Sequence, residues 1–176
     1  MKTLILSLSF LFCVNLYAQT IPDIPIKDGI VSYTDVVETE LSKNELYANL
    51  KTWVALYFVS AKAVTELDDA DLGKLILKAK LTPSFSYIGQ KRSSDIDITL
   101  QVDCKDNKYR YIATVVGYYH RQTPQSIPEL IEIAHGRKRT ATNNKGYAVR
   151  QLNGIDESIS DMIASLKKNM EVSDDF

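Results

Sequence analysis

Residues 74–81 read KLILKAKL, with Leu75, Leu77, Ala79 and Leu81 on one side and Lys74, Ile76, Lys78 and Lys80 on the other. A period of two with one apolar side marks a strand that lays one face on a core. The alternation returns over 93–104, where Ile96, Ile98, Leu100, Val102 and Cys104 turn inward and Asp95, Asp97, Thr99, Gln101 and Asp103 outward. Residues 109–119 make a further long strand. Tyr109, Tyr111, Ala113 and Val115 share the core-facing parity, while Ile112, Val116 and Tyr118 fall on the other side, which predicts a central strand or one covered on both faces. Upstream, Ile30–Glu38 (IVSYTDVVE) has the Val, Ile, Tyr and Thr content of a first strand, and 62–67 reads as another. Polar turns at 68–73 (DDADLG) and 105–108 separate neighbours.

Two stretches follow a helical period instead. Leu46, Leu50, Trp53, Val54, Tyr57 and Phe58 make one broad apolar face and predict a helix over 43–59. Its start is signalled by Ser42-Lys43-Asn44-Glu45, a capping box in which each end satisfies the other's backbone N–H, with Leu41 and Leu46 spaced as a hydrophobic staple. Trp53 reads as the core anchor of that face; a ligand platform is the alternative. Ile155, Ile159, Met162, Ile163, Leu166 and Met170 predict a terminal helix over 154–170. Between them, Pro128-Glu129-Leu130 looks like the first turn of a short helix, and 136–146 (GRKRTATNNKG) like a polar, basic loop. Residues 171–176 read as a frayed acidic tail. No repeat with a period of 20–50 residues is present.

The element order is strand, helix, four strands and a helix-bearing tail. Short turns make consecutive strands antiparallel, and the helices must cover the apolar face. The expected fold is α+β, an antiparallel sheet of about five strands with helices on one face. Residues 28–120 form that domain, 19–27 an extended lead-in with two prolines, and 121–176 a helical extension packing on it.

The first eighteen residues stand apart. Lys2 precedes an apolar run of signal-peptide length, and Leu16-Tyr17-Ala18 suits cleavage after Ala18. The run is short for a membrane span, and no second run of spanning length follows; a buried N-terminal helix is the alternative. Cys13 follows Leu11 and Phe12, not the small residues of a lipobox. The whole chain has 176 residues, 45% apolar and 24% charged, with net charge −1. Losing 18 residues and one of the 21 Lys+Arg leaves 158 residues at net −2. Such a chain is expected in the periplasm or at the cell surface. It lacks the basic balance of a nucleic-acid binder. It is long enough to bury a core, and with Cys104 as its one remaining cysteine it has no internal disulfide. Cys104 reads as a small buried hydrophobe.

Four features of the 28–120 segment together resemble the exported bacterial domain-of-unknown-function family 4468, which has a TATA-binding-protein-like fold. They are the strand over 30–37, the helix start Ser42-Lys43-Asn44-Glu45-Leu46-Tyr47, Trp53 within that helix, and the 68–73 turn before an alternating strand. The resemblance implies a curved antiparallel sheet with helices on one face. It brings no catalytic residues, and DNA binding does not travel with a shared fold.

Candidate chemistry is sparse. Asp68, Asp69 and Asp71, with Glu66, offer oxygens to a hard cation, but the glycine comes early at Gly73 and position twelve from Asp69 is Lys80, so an acidic turn is the favoured reading. Lys74, Lys78 and Lys80 against Asp95, Asp97 and Asp103 read as a cross-strand charge lattice, a basic strip for an acidic glycan or headgroup being the alternative. Arg137, Lys138 and Arg139, with Lys145 and Arg150, form the one basic cluster without local acids, a solvated loop or a contact for an anionic partner. Tyr109, Tyr111, Tyr118, Tyr119 and Tyr147 serve packing or stack on sugar rings. His120 and His135 lack a nucleophile elbow, a zinc-protease motif or a Cys-x-x-Cys beside them.

The expected function is that of a non-enzymatic exported binding or accessory module of the cell envelope, with no cofactor, no metal and no nucleic-acid partner. Its partner would be an envelope protein or glycan. The expected contact surface comprises Arg137, Lys138, Arg139, Tyr118, Tyr119 and Tyr147. The alternative is a carboxylate-dependent hydrolase of an envelope or dietary glycan, since a facing Asp/Glu pair leaves no linear motif.

Overall fold

A computed structural model describes residues 20–140 and 144–172. The expected leader, with Cys13 and Tyr17, lies outside the described residues, as does most of the acidic tail. In chain order the elements are β1 (Ile26–Lys27), β2 (Ile30–Glu38), α1 (Lys43–Tyr57), α2 (Ala61–Val64), β3 (Thr65–Asp69), β4 (Lys74–Leu81), β5 (Ser84–Tyr87), β6 (Gln90–Ser93), β7 (Asp95–Lys105), β8 (Lys108–His120), β9 (Thr123–Pro124), α3 (Ile127–Ala134) and α4 (Lys145–Met170). The main sheet runs β1-β2-β8-β7-β4-β3, with β9 on β8, and β5–β6 is a separate ribbon. All pairings are antiparallel.

The five expected long strands are β2, β3, β4, β7 and β8. The fold is α+β as expected, with more strands than five because β1, β9 and the ribbon add short ones. Helix α1 leaves β2 near one edge and delivers the chain to β3 at the other. The inward residues Leu75, Leu77, Ile96, Ile98, Leu100, Val102 and Cys104 bury completely or nearly so in one core with Leu46, Leu50 and Trp53 of α1 and Ile155, Ile159 and Met162 of α4.

The local signals act as their chemistry requires. Ser42 Oγ accepts from Glu45 N at 3.4 Å and Glu45 Oε2 accepts from Ser42 N at 2.8 Å, closing the capping box. Helix α1 stops at Tyr57, two residues short of the expectation, because Phe58 turns extended with ψ 141°. Residues 61–64 form a helical turn capped by Ser60, so β3 begins at Thr65 rather than at 62. Asp68 and Asp69 sit inside β3 rather than in the turn. On the outer face the charge lattice is real: Lys74 stands opposite Asp103 at 3.5 Å and Lys80 opposite Asp97 at 3.6 Å, while Lys78 reaches Glu66 at 3.2 Å. Such exposed pairs contribute about 0–1 kcal/mol each and help fix register.

Strand β8 departs from its expected alternation. Asp97 pairs with Gly117 but Ile98 pairs with Val115, so Val116 is an extra residue that bulges out to solvent. A bulge shifts the side-chain parity by one. Tyr118, expected on the outer face with Ile112 and Val116, is therefore turned into the core.

The C-terminal helix is longer than its apolar period predicts. It starts at Lys145, where Asn144 Oδ1 accepts from Tyr147 N at 3.0 Å. Gly146, Asn153 and Gly154 blur the apolar stripe over these turns. Gly154 has a packing reason: a Cβ there would stand 3.0 Å from the Ser84 carbonyl oxygen, so its absence lets α4 lie against β5.

Candidate functional site

The ribbon that rests on α4 comes from SFSYIGQKRS, two short alternating runs around Ile88-Gly89. Both turn residues have positive φ, 48° and 70°, the geometry of a two-residue hairpin turn. A β-branched residue is rare there. Ile88 sits at the tip, 80% exposed. The hairpin holds because its inner side is packed. Phe85 is buried with its ring edge-on to Tyr147 at 5.3 Å, and Tyr87 meets the same ring at 4.8 Å. Tyr87 Oη accepts from Asn144 Nδ2 at 2.9 Å, and Arg150 Nη1 donates to the Ser86 carbonyl at 3.0 Å.

Beneath the ribbon lies a chain of polar groups. His120, at the end of β8, meets Ser94 Oγ through Nδ1 at 3.2 Å and Tyr147 Oη through Nε2 at 2.9 Å. A serine touching an imidazole suggests a nucleophile and its base. Here Ser94 is only 5% exposed, and the group on the other ring nitrogen is a neutral phenol. A phenol orients the ring without stabilising an imidazolium as a carboxylate does. The chain therefore fastens three elements together: the ribbon's end, β8 and α4. Burial, with Arg121 and Arg92 nearby, holds the His120 imidazole below its ordinary 6.5. The unfolded chain then binds the proton first. Stability contributed by neutral His120 is full above pH 6.5 and is lost as pH falls from there through the lower folded value. His120→Gln should flatten this part of the curve. Urea midpoints at pH 5 and pH 7.5 check it: the wild type should lose stability on acidification over this range and the variant less so.

Between the ribbon and α4 opens a groove of about 280 Å³. Arg150, Asn153, Gly154 and Glu157 recur at helical spacing along one wall. Ser84, Ser86 and Lys91 form the other. Ser86 and Lys91 are direct cross-strand partners, so two cations converge on one end of the groove. Neither has a carboxylate within ion-pair distance among the described residues.

The residues singled out from the sequence are not gathered here. Tyr118 and Tyr147 are buried and offer no contact surface, and Tyr109 and Tyr111 lie in the core. Tyr119 is half-buried with the Lys80 ammonium 5.5 Å above its ring. The basic cluster is matched by acids after all. Arg137 forks onto Glu132 with two bonds of 2.6 Å, and Lys138 meets Glu129 at 2.7 Å, both carboxylates being on α3. Arg139 is exposed beside them, and Arg150 belongs to the groove. His135 caps the end of α3. The acidic-turn carboxylates diverge: Asp68 accepts from Tyr47 Oη at 2.6 Å and from Lys51, Asp69 caps the N–H of Leu72 at 2.8 Å, and Glu66 serves Lys78. Cys104 is buried, its thiol pushed up to about 12 by desolvation and then by Asp103, which makes it inert. Lys91, Asn153 and Glu157 escaped the sequence reading. The helical spacing of Asn153 and Glu157 from Arg150 was the available signal.

Residues 33–119 match the model of a domain of unknown function, DUF4468, with TBP-like fold. Among solved structures, the chain is similar to a DUF4468 family protein from Bacteroides ovatus, with 15% identity over 87% of this chain and 93% of that one and a TM-score of 0.64. It is also similar to a TBP-like protein from Parabacteroides distasonis, with 18% identity over 82% of this chain and 97% of that one and a TM-score of 0.60. At such identities the likeness concerns the fold. No curated protein matches the chain.

Proposed function

Residues 33–119 are a DUF4468 domain of TBP-like fold, and from that premise we propose that the protein is a non-enzymatic binding module exported to the cell envelope, gripping its partner in the groove between the ribbon and α4. The observation that carries the reading is the convergence of two cations on one concave site. Lys91 and Arg150 have no ion-pair partner among the described residues, and both line the same groove, where the Arg150 guanidinium reaches the carbonyl of Ser86, the cross-strand partner of Lys91. Cations without a counter-charge in a concave, polar site suit an anionic group on a ligand. Export rests on the leader pattern over 1–18. The groove is lined by one carboxylate, Glu157, so it does not favour two-carboxylate hydrolysis.

The test is capture of envelope material by the processed protein, alongside a Lys91→Ala/Arg150→Ala double variant. Capture by the wild type and its loss in a folded double variant is the expected result. Equal capture by both proteins removes the groove from the reading. Release of sugars from a glycan panel by the pure protein installs the hydrolase in its place.

A further inference from the structure

The groove has two unlike ends. At one, Arg150 and Lys91 flank Ser86, with the guanidinium anchored through Nη1 on the Ser86 carbonyl. Towards the other stands Glu157, seven residues along α4 and so about 10 Å away. Glu157 has no hydrogen-bond or ion-pair partner among the described residues, and neither do the side chains of Lys91 and Asn153. A purely anionic ligand lying along this groove would meet repulsion at Glu157. A purely cationic one would meet it at Arg150 and Lys91. Midway, Asn153 offers one acceptor and two donors, and Ser84 and Ser86 add hydroxyls on the opposite wall.

We propose that the groove binds a short zwitterionic peptide, with its carboxylate on Arg150 and Lys91 and its ammonium on Glu157. An extended chain spans about 3.3–3.6 Å per residue, so three residues match the distance between the charged ends. The Asn153 amide can then both donate to and accept from the peptide's main chain. The inference rests on the groove being the binding site and adds the ligand's chemistry to it.

The experiment is a titration of the processed protein, followed by calorimetry and amide NMR, with tri-alanine, N-acetyl-tri-alanine, tri-alanine amide and acetate. Free tri-alanine is expected to bind, and blocking either end to weaken it by about tenfold or more, as loss of a charge-assisted contact does. Arg150→Gln should weaken the preference for a free carboxylate and the Lys91→Ala/Arg150→Ala double variant erase it, both keeping that for a free amine. Glu157→Gln should do the reverse. Unchanged circular dichroism in each variant shows that binding, not folding, has altered. Equal binding of blocked and free peptides, acetate binding as well as tri-alanine, or no binding of any probe overturns the proposal. If the Lys91/Arg150 double variant has lost envelope capture in that case, the groove stands as the binding site and only the peptide is wrong.

Discussion

Trp53→Ala is expected to lower the stability of the fold by about 3–5 kcal/mol, the range for truncating a fully buried large aromatic side chain. Trp53 is 1% exposed at the centre of α1. Its ring stacks on Tyr57 at 5.1 Å and takes the edge of Phe58 at 5.6 Å, and Nε1 donates to Ser165 Oγ on α4 at 3.1 Å. The side chain thus ties both long helices to the core, and its loss leaves a cavity and an orphaned hydroxyl together. Against a typical total of about 5–15 kcal/mol, the variant would sit near the edge of folding. Urea denaturation followed by far-UV circular dichroism measures this. Trp53→Phe, which keeps most of the apolar volume, should cost clearly less. A loss below about 1 kcal/mol for the alanine variant would show that α1 is anchored elsewhere.

Gly73→Ala is the second large effect, expected at roughly 2–4 kcal/mol for one added methyl. Gly73 has φ +63°, where an L side chain is strained, and a Cβ would lie 2.5 Å from the carbonyl oxygen of Cys104. That oxygen belongs to the backbone of β7 and cannot swing aside. Gly73 also accepts from Cys104 N at 2.7 Å, so moving the turn away would break the first bond between the turn and β7. Gly136→Ala supplies the comparison. Its φ is +78° but nothing lies within 4 Å of its Cβ position, so it should cost only the left-handed penalty of about 1 kcal/mol. The difference between the two melting shifts isolates the collision. Equal shifts would mean that the β4 turn relaxes freely.

What could be read in advance follows from how local each signal is. The capping box at Ser42 and Glu45 is a four-residue interaction, and it formed as read. The alternation of β4 and β7 needs only one buried face, and the lysine–aspartate lattice followed from that register. The ribbon lacks a sequence signal because its turn uses Ile88-Gly89 in place of Asn-Gly, and the strain is compensated by Phe85 and Tyr87 packing on a helix sixty residues away. The first turns of α4 are masked by Gly146 and Gly154, and the purpose of Gly154 shows only once β5 lies against the helix. Tyr118 changed face because of one bulged residue, and no composition signal marks Val116 as that residue. The acids that match the basic cluster are near in sequence, Glu132 five residues before Arg137 and Glu129 nine before Lys138, but the pairs form only because α3 ends at Ala134 and the chain turns back there. The groove has no local signal at all: its walls come from two segments about sixty residues apart with no pattern linking them.

The pairing of β2 with β8 has a consequence for the order in which the chain acquires its structure. Ser32 and Thr114 face each other across that pair although 82 residues separate them. By contrast, β7 and β8 are joined by a two-residue turn, and β3 and β4 by four. Closing the long loop has an entropic cost that local hairpins escape, and non-local pairing slows folding. Of the long strands, β2 therefore emerges from the ribosome first and waits longest for β8. Until β8 is made, the edge of β2 that β8 will cover has no strand to pair with in its own chain, and in that interval the unfinished protein depends most on remaining apart from its own copies.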